Sequence, residues 1–285
     1  MTTLFNSSQE IVFVLHGLNV TQTNRHIYFV FFLILYLVTI CINLTLIFTI
    51  VLEKMFHDPM YLFLCNLCIN GIIGIFFIYF YVHCEFTHLT VMAYDRYVAI
   101  CKPLHYHCIM TVRKVWTLIL LSWLLSWLDC SIGMVLLARL PLCSVDIDRL
   151  YCSNWAVVKL SCVDTTIDNI HSYFYIFYHF FQAIFILISY VNIVKASLRS
   201  VVQRRKFMQT CLPHLITLIN LTISLLFDVM YARYGSKTSL LALRNIMSVE
   251  FLVVPPLVNP IIYGMNLREI RYKVVQMLNC KVVPQ

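Results

Sequence analysis

Long apolar stretches that contain almost no charge constrain the fold of this chain more than any other feature. Residues 27–52 contain no charged side chain, and similar stretches recur along the sequence. A helix that crosses a bilayer needs about 20 apolar residues, and it satisfies its own backbone hydrogen bonds there. Membrane β-barrels instead use alternating strands of about ten residues. The continuous stretches therefore predict an all-α, polytopic membrane protein.

The composition supports this prediction, because 61% of the residues are hydrophobic and only 12% are charged. Soluble proteins contain about 25% charged residues. The formal net charge of +8 indicates basic residues at a membrane surface, and we expect no nucleic-acid partner. The first ten residues, MTTLFNSSQE, are polar, so we expect no signal peptide and a first span that acts as the insertion signal.

Charge decides how many of the apolar segments cross the membrane. Cytoplasmic loops carry excess Lys and Arg. Seven spans with an extracellular N-terminus and a cytoplasmic C-terminus place fourteen of the 21 basic residues inside, whereas six spans blur this bias. The predicted order is a tail over 1–26, spans over 27–52, 59–74, 75–98, 115–138, 169–195, 211–232 and 239–264, and a cytoplasmic amphipathic helix and tail over 265–285. Glycosylation sequons at Asn6 and Asn19 agree with an outer tail.

Four long motifs then identify a family. The second segment opens with PMYLFLCNL, the third ends in MAYDRYVAICKPLHY, the sixth begins KFMQTCLPHL, and the seventh ends in PPLVNPIIYGMNLREIR. In this order they resemble odorant receptors of the rhodopsin-like G-protein-coupled class, most of all fish-type receptors. The resemblance implies a seven-helix bundle in the plasma membrane. It would bind a small odorant in its outer half and activate a heterotrimeric G protein inside, without a cofactor.

The resemblance also assigns a switch at the inner face. Asp95 would hold Arg96 at rest, and agonist binding would release Arg96 toward the G protein. A plainer alternative is an arginine anchor beside an incidental acid. The other positions that the resemblance assigns to the switch are Tyr97, Tyr190, His214, Asn259, Pro260 and Tyr263.

Glu85 is an acid within the third apolar stretch. A carboxylate at that depth is costly unless it is neutralised or paired, so it is a functional candidate. The resembling family has an acid here, near a sodium-like site, but its usual second acid falls at Gly71. Glu85 is therefore either a protonated, hydrogen-bonded acid or a cation ligand.

A ligand cavity is expected where helices three, five and six face one another. Residues three or four apart on each helix would line it, although such stripes also arise from plain packing. The candidates are Tyr79, His83, Phe174, Tyr178, Leu225 and Val229. Aromatic and aliphatic walls suit small, largely apolar molecules.

The stretch over 59–98 departs from the family pattern, because it is too short for two full spans and a loop. A second helix of about 12–15 residues would be roughly 18–22 Å long, against a hydrocarbon core of about 30 Å. By resemblance, Cys143 pairs with Cys162, and Cys152 stays unpaired because its partner on helix three is missing. The chain is then either a receptor that tolerates a short helix, or a retained, non-signalling protein from a misread exon or a decaying gene.

Other functional classes fit the sequence less well. A transporter predicts an internal repeat with broken helices, and no such repeat is visible. Common hydrolase and phosphate-binding motifs are absent from the sequence, so we expect no enzyme. A cysteine and histidine cluster after the third segment has no common zinc spacing, so we expect no metal site. Its members are Cys101, His105, His107 and Cys108.

Overall fold

The computed structural model describes the backbone of residues 13–16, 22–52, 58–73, 78–147, 149–198, 201–234, 241–266, 270 and 272–274. Within these ranges, side chains are described except at 22–23, 73, 78–79, 201–206, 208–210, 213–214, 232–234, 241–242, 251–252 and 263–266. Asn6 and Asn19 lie outside the described residues, as do most of the predicted amphipathic helix and tail.

Within the described residues, seven long helices form the bundle. They are α1 (Gln22–Leu52), α2 (Pro59–Ile73), α3 (Ile78–Cys101), α5 (Val112–Ala138), α7 (Thr166–Ser197), α8 (Val201–Tyr234) and α9 (Leu241–Asn266). The short helices α4 (Tyr106–Ile109) and α6 (Asn154–Val158) lie in the connections, as does a 3-10 turn over Pro103–His105. Each helix matches one apolar segment of the sequence, and α8 begins ten residues before the predicted span. The fold is the all-α seven-helix bundle that the sequence predicts.

Helix α3 is the centre of the bundle. It packs against α2, α5, α7 and α8, while α1 closes the ring by contacting α2 and α9. The shared core contains fully buried side chains from several helices, among them Phe63, Leu89, Ile186 and Leu221. Large apolar side chains such as Phe29 on α1 and Trp127 on α5 point outward. Because a lipid surface accepts such residues and water does not, the exposed apolar surface fits a membrane environment.

Three of the helices are long and apolar enough to cross a membrane alone, namely Asn24–Leu52, Val112–Ala138 and Thr166–Ser197. A fourth is α9, whose halves Leu243–Glu250 and Val253–Ile262 meet at an angle of 46°. Pro255 and Pro256 lie just beyond this bend. Each proline removes the backbone donor that would bond four residues earlier, which explains the kink.

Helix α2 is short, as the sequence predicts. It contains 15 residues, so it is about 22 Å long against a hydrocarbon core of about 30 Å. Pro59 begins it, and the carbonyl of Asp58 accepts the amide of Tyr61 at 3.0 Å. Proline is well suited to the first helical position because its missing donor is not needed there.

A small parallel strand pair lies among the connections. Strand β1 (Val14–Leu15) pairs with β2 (Asp146–Ile147), so the N-terminal segment is bound to the connection between α5 and α7. Ile147 is buried in a small cluster with Leu142 and Val157, and Phe13 packs against it. The connection also contains a disulfide between Cys143 and Cys162.

Candidate functional site

The Asp95–Arg96 corner lies near the C-terminal end of α3 and is almost fully buried. Asp95 is 1% exposed and Arg96 is 7% exposed. Arg96 Nε donates to Asp95 Oδ2 at 2.8 Å, and a guanidinium Nη2 donates to the same oxygen. A buried charge pair is stable only when hydrogen bonds satisfy it, and these bonds make the corner a closed, buried ion pair.

Tyr106 completes the corner from the neighbouring helix α4. Its hydroxyl donates to Asp95 Oδ1 at 2.8 Å, so both oxygens of Asp95 accept hydrogen bonds. Burial and the nearby Asp95 carboxylate raise the pKa of Tyr106, so the phenol stays a donor at neutral pH. Tyr106 thus ties the connection after α3 to the ion pair, a role that sequence reasoning missed.

The remaining predicted switch residues are spread over two regions. Tyr97 is partly buried on α3, and Tyr190 is buried on α7 as part of the common core. Asn259 and Pro260 are buried on α9, about two helical turns after the bend. The side chains of His214 and Tyr263 lie outside the described residues, so their assignment stays a prediction.

Glu85 is the centre of a polar network between α2, α3 and α9. Asn70 Nδ2 donates to Glu85 Oε2 at 2.9 Å, and Asn259 Nδ2 donates to Glu85 Oε1 at 2.5 Å. Asn43 on α1 joins through the carbonyl of Pro256, to which it donates at 2.9 Å. The carboxylate, which is 1% exposed, therefore links α2, α3 and α9, and α1 joins through the backbone of α9.

The residues around Glu85 fit an amide-bonded carboxylate better than a cation ligand. Sodium and related hard cations need several oxygen ligands, but Asn70 and Asn259 turn their nitrogens toward the carboxylate. Gly71 adds no oxygen, and its missing side chain would only touch Asn43 and Pro256 at 3.5 Å. Within the described part of the chain, no group of three or more potential metal-ligating side chains is found. Glu85 is thus a hydrogen-bonded acid in this structure, and its role as a protonated acid or a cation ligand stays a prediction.

A cavity of about 630 Å³ lies at the end of α3 that is opposite the Asp95–Arg96 corner. Its walls come from α3, α5, α7, α8 and the connection before α7, and Phe13 contributes from the N-terminal segment. Phe80 on α3 lines it, and Phe80 lies fifteen residues before Asp95, or about 22 Å along the helix. The volume is typical of sites that bind small molecules.

The cavity walls are mostly apolar but contain two carboxylates. Asp228 accepts from Arg149 Nη1 at 3.0 Å. Asp129 is flanked by imidazoles, with His83 Nε2 at 3.4 Å from Oδ2 and His171 Nε2 at 3.3 Å from Oδ1. A further carboxylate, Glu250 on α9, is bonded to α8, because Asn220 Nδ2 donates to Glu250 Oε1 at 2.6 Å.

Only some of the predicted ligand-pocket residues lie at the cavity. Val229 lines the cavity, and His83 reaches it indirectly through Asp129. Tyr178 packs on the His83 ring with the centroids 5.3 Å apart, and Leu225 packs against the core. The prediction for Phe174 is wrong, because that side chain is 67% exposed on the outer surface. The side chain of Tyr79 lies outside the described residues.

The error at Phe174 has a geometric cause. Helix α7 packs against α3, α8 and α5, but the predicted residue Phe174 lies one position away from the face of α7 that borders the cavity. His171 and Tyr175 line the cavity, and the adjacent Phe174 is turned about 100° away on a helix with 3.6 residues per turn.

Asp129 and Glu250 were also missed, although the sequence contained a signal. Asp129 is the only charged residue within the stretch 115–138, and Glu250 lies within 239–264. The argument that singled out Glu85, that a membrane-buried acid needs a reason, applies equally to both.

The outer cysteines have the arrangement that the family resemblance implies. Cys143 and Cys162 form a disulfide, with their Cα atoms 5.4 Å apart, while Cys152 is an exposed free thiol at the cavity wall. Partial burial raises the pKa of the Cys152 thiol.

Comparison with known proteins places the chain beside olfactory receptors. The family model described as "Olfactory receptor" matches residues 69–281. Similar proteins include Olfactory receptor 1 of Rattus norvegicus, 31% identical with 91% of each chain covered. Olfactory receptor 1E16 of Mus musculus is 32% identical, again with 91% of each chain covered. Olfactory receptor 6C3 of Homo sapiens is 32% identical, with 93% of this chain and 94% of the relative covered.

These relatives are mammalian, so a closer likeness to fish-type receptors stays a prediction. The alignment with the rat protein is 292 residues long, although it covers only 91% of this 285-residue chain. It therefore includes residues of the relative that have no counterpart here.

Proposed function

This chain belongs to the olfactory receptor family, and from that membership we propose that it binds a small odorant in the outer cavity and signals to a heterotrimeric G protein at the Asp95–Arg96 corner. It is a multi-pass membrane protein of a family that is not enzymatic. The observation that carries the proposal is the closed ion pair, which lies about 22 Å along α3 from the cavity.

The proposed orientation places the N-terminus outside the cell and the C-terminus in the cytoplasm. Lys and Arg concentrate on the side of the bundle that contains Arg96, as cytoplasmic loops do. The disulfide between Cys143 and Cys162 lies on the other side, where an oxidising exterior favours it. The domain division is proposed on the same grounds: an outer tail, a seven-helix bundle, and a cytoplasmic C-terminal helix.

The proposed signal is a change between two states of a charged element. At rest, Asp95 and Tyr106 hold Arg96 in the bundle. A ligand that binds the released state more tightly shifts the population toward it, and only by that difference in affinity. Tyr97, Tyr190, His214, Asn259, Pro260 and Tyr263 are the proposed residues through which the helices rearrange.

The test is expression of the N-terminally tagged chain in cells that contain a matching G protein. Surface labelling of the tag and a cyclic-nucleotide response to an odorant mixture should both be positive, and Arg96→Ala should abolish the response without changing surface labelling. Labelling of the tag only after permeabilisation, together with Arg96 accessible from outside, contradicts the orientation.

The second candidate is a retained protein that does not signal. The short α2 and the free Cys152 favour it, because a mismatched helix and a lost tether both weaken the outer half. Intracellular retention that is rescued when the missing length is inserted from a related receptor identifies this case.

A further inference from the structure

Charge in the outer cavity is unbalanced. Of the described residues that line it, the charged ones are Asp129 and Asp228, and no lysine or arginine is among them. Arg149 neutralises Asp228 by a hydrogen bond at 3.0 Å. Asp129 is thus the carboxylate of this wall that faces no permanent cation.

The groups that surround Asp129 are imidazoles. His83 from α3 and His171 from α7 approach its two oxygens at 3.4 and 3.3 Å, and His179 lies behind them, 4.8 Å from His83 between ring centroids. Hydrogen bonds between an ammonium or guanidinium and a carboxylate are shorter, about 2.7–2.9 Å. His171 Nε2 is buried and makes no hydrogen bond of acceptable geometry. Asp129 therefore retains acceptor capacity toward the cavity.

An apolar cavity strengthens the attraction between a carboxylate and a cation. The interaction energy of two charges varies inversely with the effective dielectric constant, which is lower here than in bulk water. Phe80 also lines the cavity, and aromatic rings attract cations over their faces. A carboxylic acid in its charged form would instead be repelled by Asp129.

We propose that the outer cavity selects small protonated amines with an apolar tail, whose ammonium group pairs with Asp129. This inference rests on the proposed function, since it names the ligand class of the same cavity. The apolar walls bind the tail, and Asp129 fixes the position of the charged head. A neutral molecule of equal length gains only the first of these interactions.

Binding can be tested without any signalling step. The full chain is placed in lipid nanodiscs, and its thermal unfolding is followed in the presence of hexylamine, hexanol or hexanoate. Hexylamine should stabilise the protein at concentrations about 30-fold or more below those needed for hexanol, as expected for loss of one partner of a buried charge pair. Hexanoate should have the weakest effect.

Two variants locate the effect. Asp129→Asn removes the charge with almost no change in volume and should bring hexylamine to the level of hexanol. Asp164→Asn removes the same charge from an exposed loop and should leave the preference for hexylamine unchanged. If Asp129→Asn does not fold, the ligand series on the unmodified chain still decides.

Each outcome separates this inference from the proposed function. Hexanol or hexanoate equal to hexylamine on the unmodified chain overturns the amine inference, and so does an amine preference that survives Asp129→Asn. A response to neutral odorants that requires Arg96 but not Asp129 also overturns it while supporting receptor function. Amine binding that depends on Asp129 supports the inference even where no G-protein response occurs.

Discussion

Tyr106→Phe is expected to raise signalling in the absence of odorant. The substitution removes only the hydroxyl that donates to Asp95 at 2.8 Å. A hydrogen bond to a charged group contributes about 1.5–3 kcal/mol, and partly exposed Tyr106 belongs at the lower end. About 1.5 kcal/mol corresponds to roughly a tenfold change in an equilibrium constant. A receptor that is about 1% active without ligand would therefore become about 10% active.

The assay is basal cyclic-nucleotide production, divided by the amount of tagged receptor at the cell surface. Tyr28→Phe, which removes a hydroxyl from the exposed face of α1, is the matched control and should behave as the unmodified chain. Adding Arg96→Ala to Tyr106→Phe should return the signal to background. Basal signalling of Tyr106→Phe that equals or falls below that of the unmodified chain refutes the idea that Tyr106 holds the resting state.

Three further substitutions and one insertion test the bundle itself. Asn259→Ala leaves Glu85 Oε1 buried without its donor, so thermal unfolding in detergent should show a loss of about 1–3 kcal/mol, and an unchanged melting temperature would contradict the network. Cys143→Ser should lower surface labelling, because losing a disulfide costs about 2–5 kcal/mol. Cys152→Ser is the control and should match the unmodified chain. Equal losses of surface labelling in both variants would mean that Cys152 is also paired. Extending the chain within 73–78 by the length that related receptors have should raise surface labelling if hydrophobic mismatch limits it, and no change would show that α2 already fits the membrane.

The helices could be predicted from the sequence because the features that determine each helix lie within its own segment and its flanking residues. Apolar length sets each span, and the charge bias sets the number of spans. Even the short α2 follows from counting residues between Pro59 and Asp95. The Asp95–Arg96 pair was identified by its motif, because both residues belong to one short stretch of sequence; their contact is seen only in the structure.

The cavity could not be placed in this way, because it depends on how helices are rotated against one another. A rotation of α7 by about 100° exchanges Phe174 for Tyr175 at the cavity wall, and an amphipathic pattern does not resolve this where both sides are apolar. The partners of Asp129 come from α3 and α7, so they are known only after packing. The presence of an acid in α5 was readable from the sequence, but its pairing was not.

The short α2 is compatible with the proposed switch, because the polar contacts of α2 lie in the part that is present. Asn66 and Asn70 are four residues apart and therefore share one face of α2. Asn66 bonds His88 at 2.5 Å, and Asn70 bonds Glu85 at 2.9 Å, so both contacts fix α2 against α3. Helix α2 ends at Ile73, two residues after Gly71, so these contacts lie within the part of α2 that is present. We therefore expect the shortening to affect the outer cavity, while the residues that bond Glu85 and the Asp95–Arg96 pair keep their contacts.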